Sequence, residues 1–121
     1  MKKKNNPLAR YVYAYSITLS KDAKAEDFES RMAQDVLPHF VVLQRATSGM
    51  SLEHRLLKKT ASRGSKRYEW LIRVLDINMV GNADEAMALN GMDELVRKQL
   101  ASSAAQVSLI IFSEIGVSLS G

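Results

Sequence analysis

From Tyr11 to Ser20 the chain reads YVYAYSITLS, and this alternation restricts the fold more than any other stretch. Tyr11, Tyr13, Tyr15, Ile17 and Leu19 fall on one side of an extended chain; Val12, Ala14, Ser16 and Thr18 fall on the other. Period two, carried by β-branched and aromatic residues, predicts a strand. Apolar residues occur on both sides, so neither side is built for water alone.

The segment KDAKAEDFESRMAQDVLPHF follows. Phe28, Met32 and Val36 recur at four-residue spacing, and Glu26, Asp27 and Glu29 suit the electropositive first turn of a helix. Pro38 lacks a backbone N–H and disfavours helical geometry at Leu37, so the helix is expected to end there, with His39 in a turn and FVVLQRAT beginning a strand. A bend is expected at Ser48-Gly49. MSLEHRLLKK and RYEWLIRVLD then read as a hairpin around the turn residues TASRGSK.

A second helix follows. Asn82 or Asp84 is its expected cap, and Ala86, Leu89, Met92, Val96 and Leu100 form its apolar face. Gly91 lies inside it and marks a place for a kink or break. QVSLIIFSEIGV closes the chain as a strand with Val107, Leu109, Ile111 and Ile115 against Ile110 and Phe112. The order is β-α-β-β-α-β, which predicts an α+β, ferredoxin-like domain: a four-stranded antiparallel sheet with two helices on one face. Apolar content on both sheet faces predicts that the free face meets a second copy.

Composition narrows the function classes. With no cysteine there can be no disulfide, thiol catalysis, cysteine-bound zinc or iron–sulfur cluster. No apolar run approaches the ~20 residues that cross a bilayer, and the basic start MKKKNNPLAR is not followed by an apolar stretch. The expectation is a cytoplasmic protein, with a flexible basic tail over residues 1–9 and a single domain over 10–121. The net charge is +4, but Lys2, Lys3 and Lys4 supply three of those charges, so the body offers no strong field for nucleic acid.

Over Tyr11 to Ile115 this layout resembles the dimeric α/β-barrel superfamily. The resemblance is carried by the first alternating strand, the acidic-starting helix KAEDFESRMAQDVLPHF, the third strand YEWLIRVLD and the terminal SEIGV. Branches of that superfamily include the EthD-like, antibiotic-biosynthesis-monooxygenase-like and stress-responsive A/B barrel proteins. The resemblance implies a homodimer with sheets packed face to face and a pocket for a small organic, aromatic ligand. Members of the superfamily include cofactor-independent oxygenases, isomerases, heme-using enzymes and proteins without known activity. The resemblance thus implies fold and dimerisation more firmly than a reaction, a cofactor-independent oxygenase or isomerase being one such activity. The EthD-like histidine precedes the proline at the end of the first helix, whereas His39 follows Pro38.

His39, His54 and Arg73 are the candidates for an acid/base role, with His39 read first as serving the turn. Tyr13, Tyr15, Arg45, Glu69, Trp70 and Arg73 are the candidates for ligand binding, with Glu114 a further charge inside a strand. Two histidines without ligand spacing imply no metal site, and the reading carries no cofactor.

Two alternatives stand beside this reading. One is a non-catalytic assembly module. The other is an RNA-recognition motif, which shares the element order; Tyr68 and Trp70 in KRYEWLIRV take the places of its third-strand aromatics. Arg67 replaces that motif's glycine, and Glu69 would repel phosphate, so nucleic acid is not the expected partner.

Residues Met1 to Pro7 are polar and aperiodic. Their removal should leave the melting temperature and the oligomeric state unchanged; a large fall in either, measured by calorimetry and light scattering, would show that the tail docks on the body.

Overall fold

The computed structural model describes residues 8–40, 50–60, 66–77 and 85–115. Its strands are β1 (Tyr11–Leu19), β2 (Met50–Lys58), β3 (Arg67–Ile77) and β4 (Ala104–Phe112); its helices are α1 (Ala25–Arg31) and α2 (Glu85–Leu100). The four strands form one antiparallel sheet in the order β2-β3-β1-β4. This is the topology that the alternating patterns predict.

Register decides which side of each strand meets the helices. Tyr13 pairs with Ile72 and Ile111, Tyr15 with Trp70 and Leu109, and Ile17 with Tyr68 and Val107. Tyr13, Tyr15, Ile17, Tyr68, Trp70, Ile72 and Val74 are all buried there against Phe28, Met32, Val36, Phe40, Leu89, Met92, Val96 and Leu100. On the opposite face the rows are mixed. Val12 lies between Arg73 and Phe112, Ala14 between Leu71 and Ile110, and Ser16 between Glu69 and Ser108. Among the described residues Ile110, Phe112 and Leu57 remain 57%, 52% and 44% exposed on this open face.

The first helix departs from expectation. It does not end before Pro38. A π-helical turn over Met32–Val36 follows α1, Leu37 stays in right-handed helical geometry, and residues 37–40 continue as helix. The Leu37 N–H reaches five residues back to the Met32 carbonyl.

The spacing of the apolar residues explains this turn. Phe28, Met32, Val36 and Phe40 are all buried, yet a four-residue step overshoots an ideal α-turn by about 40°, or about 120° over three steps. A wider π turn takes up that drift and returns Phe40 to the core. It also makes room for the Pro38 ring, which has no N–H to offer the ladder. Phe40 therefore lies in a helical run instead of starting a strand. The remainder of the expected FVVLQRAT strand, the Ser48-Gly49 bend, most of the hairpin turn and the Asn82 or Asp84 cap lie outside the described residues.

The second helix departs in the opposite sense. It runs unbroken through Gly91, and Ala86, expected on the apolar face, is exposed. Packing of Leu89, Met92, Val96 and Leu100 holds the helix across the weak position. A Cβ added at Gly91 would meet nothing within 4 Å. Gly91→Ala should therefore stabilise the protein by about 0.5–1 kcal/mol, seen as a higher denaturation midpoint; an unchanged or lower midpoint would mean that the glycine has another task.

Candidate functional site

The sequence-nominated residues fall into three separate places. Tyr13, Tyr15 and Trp70 belong to the core under the helices. Glu69 and Arg73 lie on the opposite, open face of the sheet. His39 is exposed on the helical run after the π turn. Arg45 lies outside the described residues. The nominated set therefore does not converge as a whole, although His54 and Arg73 both line one cavity of about 590 Å³ with Glu53, Arg55 and Leu71.

In the core, the Trp70 indole N–H donates to His54 Nδ1 at 3.0 Å. Phe40 meets both rings edge-on, at centroid distances of 5.2 Å to His54 and 5.5 Å to Trp70. Accepting at Nδ1 leaves the proton of a neutral imidazole on Nε2, which is buried without a partner. Burial pushes the His54 pKa from 6.5 down to about 4. His54 is thus a neutral acceptor in an aromatic cage, poorly suited to act as a base near neutrality.

Three tyrosine hydroxyls tie the sheet to the helices. Tyr68 donates to Glu29 of α1 at 2.5 Å, Tyr15 to Asp93 of α2 at 2.8 Å, and Tyr11 to Glu85 of α2 at 2.8 Å. The bonded carboxylates, with burial, raise the pKa of each phenol. The same bond, with that from Lys58, lowers the Glu29 pKa.

On the open face Arg73 is paired with two carboxylates. Arg73 forms two parallel bonds to Glu114, Nε to Oε2 at 2.9 Å and Nη2 to Oε1 at 2.7 Å, and its Nη1 bonds Glu53. Glu114 also accepts the Ala9 N–H at 2.7 Å. The Arg73 bonds hold the Glu114 carboxyl at about 2, well below its usual 4.5. Glu69 accepts from Ser16 Oγ at 2.7 Å.

Sequence reasoning missed a cleft of about 490 Å³ between the two helices. Arg31, Gln34, Asp35, Val36, Pro38, His39 and Phe40 form one wall, and Leu95 and Gln99 form the other. Its volume is in the range of small-molecule sites. Arg31 Nη2 donates to the Gln99 carbonyl at 2.8 Å, whereas Nη1 is buried without a partner. No hydrogen bond joins His39 to Asp35, although both line the cleft. The one signal available in sequence was the four-residue apolar repeat that creates the π turn; α2's contribution has no local trace.

No protein-family model matches the chain, and no curated protein matches it. Solved structures do. A dimeric ferredoxin-like protein from an uncultured marine organism is 8% identical, with a TM-score of 0.59 over 91% of this chain and 98% of that one. The protein PA3566 from Pseudomonas aeruginosa is 14% identical, with a TM-score of 0.56 over 93% of this chain and 100% of that one. The fold is ferredoxin-like. At these identities the likeness is one of fold.

Two features of that fold bear on function class. No helix among the described residues is long and apolar enough to cross a membrane. Tyr68 and Trp70, which an RNA-recognition motif would present on its open sheet face, lie beneath the helices at 1% and 0% exposure.

The groups perturbed in the acid range titrate in different windows, His54 above the carboxylates Glu29 and Glu114. An unfolded His54 takes its proton near 6.5 but the folded one only near 4. Between these values the unfolded chain binds more protons, so stability falls as pH falls, by on the order of 3 kcal/mol. Glu114 adds a further loss only below 4.5, as pH approaches 2. His54→Gln, which can still accept from Trp70, should flatten the melting-temperature profile between pH 6.5 and about 4 and leave the lower limb; an unchanged upper limb would assign it to another group.

Proposed function

We propose that the chain is one half of a homodimeric α/β barrel, formed by packing the open faces of two sheets, and that it binds a small organic ligand. The observation that carries the dimer is the apolar content of the open face. Phe112, Ile110 and Leu57 are largely exposed there, and Val12, Ala14 and Leu71 lie between them in the sheet. Water is a poor partner for such a surface. Packing it against a second copy would also enclose Arg73 with its two glutamate partners, Glu114 and Glu53, one positive charge against two negative. The dimeric state named for the marine ferredoxin-like protein agrees with this arrangement.

The inter-helix cleft lies on the other side of the sheet and stays open in such a dimer, which supports a ligand site separate from the interface. A cofactor-independent oxygenase or isomerase reaction would need an oriented base. His54 is held neutral by burial, and no hydrogen bond joins His39 to Asp35. These features favour binding over catalysis and keep a non-catalytic assembly module as the second reading.

A stable dimer of this kind should bury upwards of ~1,000 Å² in total. Ile110→Lys and Phe112→Lys place charge on side chains that a monomer already exposes. Each should convert the dimer to a folded monomer in light scattering, with a circular dichroism spectrum like that of the parent. A parent chain that is monomeric at micromolar concentration, or variants that remain dimeric, would place the interface elsewhere or remove it.

A further inference from the structure

We infer that the cleft between the helices is a site for a small organic monoanion, a carboxylate on an apolar body, with Arg31 as its charged partner. The inference rests on the ligand-binding reading above and adds the chemical class. Arg31 leaves the last turn of α1 and leans across to α2, where Nη2 donates to the Gln99 carbonyl at 2.8 Å and less closely to Gln99 Oε1 at 3.4 Å. Its other terminal nitrogen is buried and bonded to nothing. Among the described residues no Asp or Glu forms an ion pair with it; the ion pairs of the fold engage Arg10, Lys58, Arg73 and Arg97. A guanidinium with an unmet buried donor is costly, and an incoming carboxylate meets both the charge and the hydrogen bond.

The walls fit the rest of such a ligand. Val36, Pro38, Phe40 and Leu95 supply apolar surface, while Gln34 and His39 stand as polar groups at the opening. Asp35 is exposed on the same side and opposes a second negative charge, so the cleft suits a monoanion better than a phosphate or a dicarboxylate. The π turn is what brings Gln34, Asp35 and Val36 around to this wall, a common use of such turns.

The test uses benzoate and its neutral counterpart benzyl alcohol as probes, titrated calorimetrically into the full-length chain. Benzoate should bind in the low-millimolar range or better and about tenfold or more tightly than benzyl alcohol, the weight of one charge-assisted bond. Arg31→Met should remove that preference and Arg31→Lys should restore part of it. Leu95→Trp, which fills the cleft from the α2 wall and keeps the guanidinium in place, should weaken both probes. Melting temperature and light scattering establish that each variant is folded and of parental oligomeric state; if Arg31→Met does not fold, Leu95→Trp carries the localisation and the benzoate preference carries the charge class. Equal affinities for the two probes, both reduced by Leu95→Trp, would overturn the anion and keep the ligand site. Benzoate binding untouched by the folded variants would place it elsewhere. Binding of neither probe would overturn the ligand reading as well.

Discussion

The hydrogen bond from Trp70 to His54, inside its cage of Tyr15 and Phe40, is the contact on which the rest of the fold depends. It joins β3 to β2, places the indole against β1 and receives the end of the first helical run. A buried indole N–H needs an acceptor, and His54 supplies one only as the neutral imidazole. The structural duty of His54 therefore fixes its chemistry. Burial removes its charge, and its remaining N–H points into the protein without a partner.

The helices are positioned by a second device, the tyrosine hydroxyls. Each of Tyr11, Tyr15 and Tyr68 buries or half-buries its ring and delivers its hydroxyl to a helical carboxylate at the margin. Ring and hydroxyl act in one side chain, so hydrophobic docking and helix orientation are coupled. Aromatic residues with polar tips are thus used for assembly of the fold, the same properties that make them attractive as ligand contacts. The two helices held this way diverge enough to leave the cleft over Arg31.

The sheet consequently has two faces with different fates. One is closed by helices and aromatics. The other carries exposed apolar residues beside an arginine clamped by two glutamates. The exposed apolar band and the inter-helix cleft therefore draw on different residues.

The strands, their order and the two helices were legible in the sequence, because alternation and four-residue recurrence are local consequences of which side chains must leave water. The pattern YVYAYSITLS determined that one side of β1 would carry Tyr13, Tyr15 and Ile17. It could not determine which side met the helices, because both sides were apolar enough; only the packing of α1 and α2 decided that. Pro38 read locally as a stop. In the folded chain the burial of Phe40 outweighs that preference through the π turn, and Gly91 is overridden likewise by four buried neighbours. Arg31 carries no local mark of a site in sequence; it is a basic residue in the last turn of α1. Its cleft exists only because Leu95 and Gln99, more than sixty residues further along the chain, are brought opposite it, and nothing in the spacing of either segment encodes the distance between two helices that pack independently on one sheet.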